Sequence, residues 1–158
     1  MSSPMNPGNV FHWGFSVPDM ATSLEAWKEQ GADIIVPPGE AEGLDVICCF
    51  IVYRGAPIEL VAPANESGRQ KLAPILARGG GLDHVCYFTT DMASDLEALE
   101  ATGNKLAIPP IYNSHFDRKL AFLVAPTGLV IELMERRPSG KLTNDPLQIY
   151  LRQLSPPA

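Results

Sequence analysis

Three features typical of other protein classes are missing from this sequence: long apolar runs, a surplus of basic residues and a basic leader. No apolar run reaches the roughly 18 residues that a transmembrane helix needs. Lysine and arginine number 12 against 18 aspartates and glutamates, and the resulting net charge of −6 disfavours nucleic-acid binding. Residues 1–8 contain neither a basic start nor an apolar stretch. We therefore expect a cytoplasmic protein that binds neither nucleic acid nor membrane.

Cysteines are also scarce, and the three that are present cannot all pair. Cys48 and Cys49 are adjacent, and neighbours on a strand point to opposite faces, so they make a poor chelate and a strained disulfide. We interpret them, together with Cys86, as small buried side chains in a reducing compartment.

The most informative feature that is present is an internal repeat. A shift of 72 residues aligns positions 12–38 with positions 84–110 without a gap, and ten of the 27 pairs are identical. The match is too extensive for chance, so we infer a duplication. The pairs that matter most are His12 with His84 and, after one further residue of offset, Glu59 with Glu132.

Each copy has the same predicted order of elements, namely a strand, a helix and three further strands. Aromatic and β-branched residues mark the strands, while aspartate before each helix and glycine after it mark the helix ends. The predicted elements cover 10–17, 20–30, 33–36, 46–53 and 57–62 in the first copy, and 82–89, 92–102, 105–108, 119–125 and 129–135 in the second. The fold class is therefore α+β, with two tandem βαβββ modules forming a curved mixed sheet around a metal site.

We interpret the chain as a single domain with a linker and a tail. Pro74 interrupts or starts the predicted linker helix, and Asp145-Pro146 is a start signal for a short helix in the tail, which we expect to serve packing or dimer contact. The division is module 1 at 9–63, linker helix at 64–81, module 2 at 82–135 and C-terminal tail at 136–158.

The two glutamates of the repeat lie in unusually apolar strands. Residues two apart share a face of a strand, and the neighbours of each glutamate on its own face are apolar. These neighbours are Pro57 and Val61 for Glu59, and Val130 and Met134 for Glu132. An ionised carboxylate on a buried face is costly unless it is paired or bound to a metal, so we prefer a metal ligand to a glutamate that reaches the rim or meets an arginine.

The two histidines fit the same interpretation because each occurs once per copy together with one glutamate. His12 shares its face with the small residues Gly14 and Ser16, whereas His84 shares its face with Cys86 and Phe88. We therefore predict one divalent cation held by His12, Glu59, His84 and Glu132. Imidazole and carboxylate ligands suit Zn, Ni, Co, Mn or Fe(II), and the sequence does not choose among them.

The duplicated modules, with histidine on the first strand and glutamate in a terminal Ile-Glu-Leu, resemble the vicinal oxygen chelate superfamily, which includes glyoxalases, bleomycin resistance proteins and dioxygenases. The resemblance covers about residues 9–135. The second module is most similar to methylmalonyl-CoA epimerase-like members, through Gly81-Leu82-Asp83-His84 and Gly128-Leu129-Val130-Ile131-Glu132-Leu133. Glu59 instead matches bacterial glyoxalase I, because epimerases usually have glutamine at that position.

The resemblance implies a divalent-metal-dependent isomerase, epimerase or lyase that transfers a proton alpha to a carbonyl through a metal-bound enolate. Glu132 or Glu59 would be the catalytic base. The substrate would be an acyl thioester or similar carbonyl compound, and the enzyme would be a homodimer. Alternatives are a glyoxalase I-like lyase acting on a thiohemiacetal, a non-catalytic small-molecule binding or resistance protein, and an Fe(II) oxygenase, against which Glu59 argues.

Two further stretches bear on the substrate. Epimerases carry a separate glutamate base on the third strand of the first module, where this chain offers only Asp45 or Val46. The loop before the predicted strand at 119–125 of the second module contains His115, and Arg118 and Lys119 follow it. We consider these three as candidates for substrate binding, with an ordinary loop histidine and solvated charges as the simpler interpretation.

Overall fold

The computed structural model describes residues 10–136 and 146–154. The chain forms two compact units, a first unit of His12–Asp83 and a second unit of Met1–Phe11 together with His84–Ala158. The predictions for residues 1–8, for the first residue of module 1 and for Asp145 concern positions outside the described residues.

The first unit has the predicted βαβββ order. Its strands are arranged β2-β3-β4-β1, with β1 parallel to β4 and the other neighbours antiparallel. Two short helices follow, and Pro74 lies in the first turn of the second of these, where a missing N–H costs nothing. The elements are β1 (Val10–Ser16), α1 (Met20–Glu29), β2 (Asp33–Ala41), β3 (Val46–Tyr53), β4 (Ala56–Pro63), α2 (Glu66–Lys71) and α3 (Ala73–Leu76).

The second unit repeats this order and adds the helix of the tail. Its strands are arranged β5-β8-β7-β6, with β5 parallel to β8. The α+β fold of two βαβββ modules is thereby confirmed, and each module is a mixed sheet. The elements are β5 (Gly81–Thr89), α4 (Met92–Ala101), β6 (Lys105–Asn113), β7 (Arg118–Val124), β8 (Val130–Glu135) and α5 (Pro146–Leu154).

The long helix of each module begins where the sequence predicts. The carboxylate of Asp19 accepts a hydrogen bond from the Thr22 amide at 2.8 Å, and that of Asp91 accepts one from the Ser94 amide at 3.1 Å. Each helix packs on one face of its own sheet, and the opposite face is left for the histidine and the glutamate. None of the helices within residues 10–136 and 146–154 is long and apolar enough to cross a membrane.

The second strand of each module is longer than predicted. The expected ends before Pro37 and Pro109 were wrong, because β2 continues to Ala41 and β6 to Asn113. Pairing shifts register on both strands near the prolines. Each of these strands pairs on one side only within its unit, so an edge position and an irregular ladder accommodate residues that lack an N–H.

The N-terminal part of α2 lies very close to the turn before β3. Asn65 caps the helix, and its side-chain oxygen accepts a hydrogen bond from the Gly68 amide at 2.9 Å. A Cβ atom added at Gly68 would lie 1.9 Å from the carbonyl oxygen of Asp45. The close approach of helix and turn therefore requires glycine at this position.

We predict that Gly68→Ala lowers the free energy of unfolding by about 2 kcal/mol, because the helix must move away from the turn. The loss would occur even though alanine favours a helix over glycine. Chemical denaturation measures it. The control is Gly39→Ala on β2, where an added Cβ meets nothing within 4 Å. A Gly68→Ala protein as stable as the wild type would contradict the close approach.

Candidate metal centre

The first unit brings His12 and Glu59 together. They lie on the parallel strands β1 and β4, where Gly14 is the register partner of Glu59. The Nε2 atom of His12 is 3.6 Å from a carboxylate oxygen of Glu59, and both side chains are buried. The rings of His12 and Phe50 form a T-shaped pair, with ring centroids 5.4 Å apart.

The second unit brings together the repeat-equivalent pair, His84 and Glu132. They lie on the parallel strands β5 and β8, where Cys86 is the register partner of Glu132. The Nε2 atom of His84 is 3.3 Å from a carboxylate oxygen of Glu132, and both side chains are buried. The duplication therefore preserves a buried histidine–carboxylate pair in each module.

Strand parity accounts for the placement of both glutamates. In the first unit, Ile58 and Leu60 belong to the core that packs under α1, so Glu59 lies on the opposite face. In the second unit, Ile131 and Leu133 belong to the core under α4, and Glu132 lies on the opposite face. A phenylalanine is the register partner of each glutamate on the neighbouring antiparallel strand, Phe50 for Glu59 and Phe122 for Glu132.

These residues suit a divalent metal ion. His12, His84 and Glu132 can each offer one ligand atom to a metal, and all three are buried. Glu59 is equally buried and has the same kind of histidine neighbour. Imidazole nitrogen and carboxylate oxygen together are ligands for borderline and hard divalent ions, and a bound cation would offset the cost of burying the carboxylates.

The profile of the Glyoxalase/Bleomycin resistance protein/Dioxygenase superfamily matches residues 11–122. The chain belongs to this superfamily. A curated relative from Cereibacter sphaeroides, named ethylmalonyl-CoA/methylmalonyl-CoA epimerase, is 28% identical over 103 residues, which are 63% of this chain and 74% of that protein. The superfamily expected from the repeat is confirmed.

Several solved structures share the fold of this chain. Methylmalonyl-CoA epimerase from Mycobacterium tuberculosis has a TM-score of 0.66 and 21% identity, covering 89% of this chain and 93% of that chain. A hypothetical protein from Bacillus halodurans has a TM-score of 0.67 and 19% identity, covering 84% and 97%. A variant methylmalonyl-CoA epimerase from Streptomyces coelicolor, in complex with 2-nitronate-propionyl-CoA, has a TM-score of 0.61 and 20% identity, covering 80% and 96%.

Asp45 is one of the two residues that could replace the separate base of epimerases. Its side chain is hydrogen-bonded to the linker helix α2 and its N-cap residue. Its carboxylate accepts hydrogen bonds from Lys71 at 2.7 Å, Ser67 at 3.0 Å and Asn65 at 3.1 Å. These donors, Lys71 first, lower the pKa of Asp45 from 3.8 to about 2. The alternative, Val46, is buried in an apolar cluster. The position in this superfamily member therefore serves attachment of α2.

We predict that Asp45 stabilises the fold in a pH-dependent way. Because its pKa is about 2 in the folded chain against 3.8 ordinarily, its contribution is present above about pH 4 and is lost as the pH falls through 2. The Tm of the wild type should exceed that of Asp45→Asn at pH 7, and the difference should shrink as the pH approaches 2. Lys71→Met, which removes the principal donor, should show the same trend more weakly. A Tm difference that is constant from pH 7 to pH 2 would contradict this role.

Arg118, a candidate for substrate binding, is 1% exposed and anchors the tail helix. Its guanidinium donates to the carbonyl oxygens of Phe116, Glu135 and Arg136 and to the side-chain oxygen of Gln148, at 2.9–3.3 Å. Burial lowers the pKa of Arg118, and the negative charges of the Asp117 and Glu135 carboxylates oppose that shift. These contacts are those of a structural residue, and the substrate role of Arg118 gains no support from them.

The other two candidates lie in different surroundings. Lys119 is exposed, and its backbone amide donates to a carboxylate oxygen of Glu135. His115 is half-buried, and its ring lies edge-on to Phe116 with centroids 4.8 Å apart. The substrate-binding role of both residues stays a prediction.

Gln148 is the residue of this region that the sequence analysis missed. It is 1% exposed, and its amide nitrogen donates to the carbonyl oxygens of Phe116 at 2.7 Å and His115 at 3.4 Å. The signal was available, because Gln148 lies between Leu147 and Leu151 on the buried side of α5. A polar side chain on such a face normally has a polar partner in the core.

We predict that Arg118→Ala lowers the free energy of unfolding by about 3 kcal/mol, because several buried carbonyl oxygens lose their donor. Lys119→Ala, which removes a neighbouring exposed charge, should change it by no more than about 0.5 kcal/mol. Urea denaturation followed by circular dichroism compares the two. Equal effects of the two substitutions would show that Arg118 does not anchor the tail helix.

Proposed function

We propose that this chain is a divalent-metal-dependent isomerase or epimerase that moves a proton alpha to the carbonyl of an acyl thioester. The observation that carries the proposal is the pair of buried histidine–glutamate contacts at equivalent positions of the repeat. Neither a core packing role nor a surface ion pair explains two buried carboxylates that share this arrangement.

In this proposal His12, Glu59, His84 and Glu132 together hold one metal ion. The ion would supply Lewis-acid stabilisation of the negative charge that develops on a carbonyl oxygen when the alpha proton is removed. The histidines would act as neutral ligands. A glutamate, either Glu59 or Glu132, would take the proton from carbon and return it, because a carboxylate beside the metal can act as a general base.

Apolar neighbours of the pairs would help this chemistry. Phe50 and Phe122 lie beside the two glutamates, on the strand opposite the histidine in each module. Such aromatic side chains exclude water, which strengthens electrostatic interactions with the developing charge.

The relatives support a thioester substrate. The Cereibacter sphaeroides relative is named for ethylmalonyl-CoA and methylmalonyl-CoA, and one methylmalonyl-CoA epimerase of the same fold was solved with methylmalonyl-CoA bound. A second candidate function is a glyoxalase I-like lyase acting on a thiohemiacetal. Glu59 favours it, because bacterial glyoxalase I resembles this chain in having glutamate there.

We predict about one metal ion per chain when the protein is purified without chelator, and its loss in the double variant Glu59→Ala plus Glu132→Ala. Elemental analysis by mass spectrometry measures the content. The matched control is Glu25→Ala plus Glu97→Ala, which removes two exposed, repeat-equivalent carboxylates on α1 and α4 and should leave the metal in place. Equal metal content in both double variants would refute the assignment of the ligands.

The reaction is tested by exchange of the alpha proton into heavy water, followed by NMR. Methylmalonyl-CoA and ethylmalonyl-CoA test the epimerase, and the thiohemiacetal of methylglyoxal and glutathione tests the lyase. Metal-dependent exchange in the thioesters alone would support the first proposal. A wild type that neither contains nor takes up Ni, Co, Mn or Zn would overturn both and favour a binding protein.

A further inference from the structure

The sheet face of module 2 that carries Glu132, here called the glutamate face, continues into apolar side chains. Phe122 on β7 is the register partner of Glu132, and Ile108 on β6 is the register partner of Phe122. Register partners on neighbouring strands direct their side chains to the same face of a sheet, so these three side chains form one row. The row begins at a predicted metal ligand and ends on the outer strand of the module.

The adjacent row on this face has the same character. Val130 on β8 is the register partner of His84, and Val124 on β7 is the register partner of Val130. Two rows of apolar side chains therefore run side by side from the buried histidine–glutamate pair towards the outer strand. Together they form what we call the apolar strip, which consists of Ile108, Phe122, Val124 and Val130.

The apolar strip is open to solvent. Ile108 is 45% exposed and Val124 is 38% exposed, while Phe122 and Val130 are half-buried. Single exposed apolar residues are ordinary on protein surfaces, whereas contiguous ones beside convergent polar groups are typical of ligand-binding sites. The position of the strip beside His84 and Glu132 therefore indicates an apolar part of a ligand that reaches the same pair.

The equivalent positions of module 1 are closed. Val36 on β2 and Phe50 on β3 form the corresponding row with Glu59. Val36 is 9% exposed and Phe50 is 1% exposed, so neither resembles Ile108 in module 2. Exposure of this row is thus not a general consequence of the βαβββ order. It is a property of one copy of the repeat.

On its other side, the buried pair of module 2 has no such open surface. The next row of the glutamate face consists of three buried side chains, Leu120, Met134 and Phe88. The Phe88 ring is stacked on Phe11 with centroids 4.8 Å apart, and Phe11 in turn contacts Tyr150 of α5 with centroids 6.1 Å apart. A group bound at the pair can therefore extend towards β6 and not towards α5.

We propose that the apolar strip binds the alkyl group on the alpha carbon of the substrate, and that this chain prefers alkylmalonyl thioesters with groups longer than methyl or ethyl. The inference rests on the proposed function and specifies its class of thioester. Two strand spacings, about 10 Å, separate β8 from β6, which an alkyl group of about six carbons spans. Phe122 and Val130 contact the carbons nearest the alpha carbon, and Ile108 contacts the end of the chain.

The size of the preference follows from the exposure of the strip. A methylene group that leaves water completely for an apolar surface improves binding by about fourfold. Because the strip covers only one side of the alkyl group, we expect about half of this free energy, or about twofold for each methylene. Hexyl has five more methylenes than methyl, so the expected preference for hexylmalonyl over methylmalonyl thioesters is about 30-fold.

The first experiment measures kcat/KM for alpha-proton exchange into heavy water with methylmalonyl-CoA, butylmalonyl-CoA and hexylmalonyl-CoA, using metal-loaded protein. We expect kcat/KM to rise with each methylene and to reach about 30 times the methylmalonyl value for the hexyl substrate. Values that are equal, or that fall as the alkyl group lengthens, would overturn the inference and leave the proposed function in place.

The second experiment compares Ile108→Thr with Leu106→Thr. Both are large exposed apolar residues of β6, but Leu106 is the register partner of Leu123 in the core under α4, so it lies on the opposite face. Ile108→Thr should lower the ratio of hexylmalonyl to methylmalonyl kcat/KM by about fivefold, and Leu106→Thr should leave the ratio within about twofold of the wild type. Equal ratios in the two variants would exclude the strip as the binding surface.

The third experiment measures affinity without turnover. Isothermal titration calorimetry compares 2-nitronate-propionyl-CoA with its longer homologue 2-nitronate-octanoyl-CoA, which carries a hexyl group on the alpha carbon. The homologue should bind the wild type about 30-fold more tightly, and Ile108→Thr should reduce this advantage by about fivefold. Equal dissociation constants would overturn the inference. Tighter binding of the homologue without exchange of any alpha proton would refute the proposed reaction alone.

A control excludes a contact between copies of the chain as the role of the strip. Light scattering during size-exclusion chromatography measures the molar mass of the wild type, Ile108→Thr and Leu106→Thr. We expect the same oligomeric state in all three. An oligomer that dissociates only in Ile108→Thr, with the wild-type preference for hexylmalonyl-CoA retained, would assign the strip to protein association and overturn its role in substrate binding.

Discussion

The burial of one carboxylate in each module is the constraint on which the rest of the structure depends. A charge on a sheet face between apolar neighbours is tolerated only when a cation or a set of donors compensates for its lost hydration. The histidine on the parallel strand supplies the first such contact for Glu59 and for Glu132. The opposite face of each sheet packs against the helix, because the alternation of side chains along the strand makes that face apolar. The position of the buried glutamate in each module thus fixes which residues of its strand face the helix and which face the opposite side.

The modules also share a way of securing the turn before their third strand. Asp45 and Asp117 lie 72 residues apart and so occupy equivalent positions of the repeat. Both adopt a positive φ, of 61° and 54°. In module 1 the turn holds α2 through the carboxylate of Asp45. In module 2 the adjacent residues hold α5 through Arg118 and Gln148. Each module is therefore followed by a helix that packs against the same turn, although the side chains that make the attachment are unrelated.

Much of the fold and of the candidate site could be predicted from the sequence, because each local pattern occurs once in each copy of the repeat. Strand order within the chain, both helix caps and the inward face of both glutamates follow from local patterns that agree between copies. The path of β2 and β6 through their prolines could not be predicted, since it depends on which strand lies at an edge. The burial of Arg118 was equally hidden, because its partners are backbone carbonyl oxygens and Gln148, which is 30 residues away in the chain.

The paired prolines of the outer strands have a consequence for the protein in concentrated solution. The edges formed by β2 and β6 expose large apolar side chains, among them Ile34, Ile35, Ile108 and Ile111. An exposed apolar strand is a template on which another chain can add, and long-lived aggregates begin in this way. Proline at the middle of each edge offers no N–H to an incoming strand. The same residues that interrupt the ladder inside each module therefore discourage its extension into fibres.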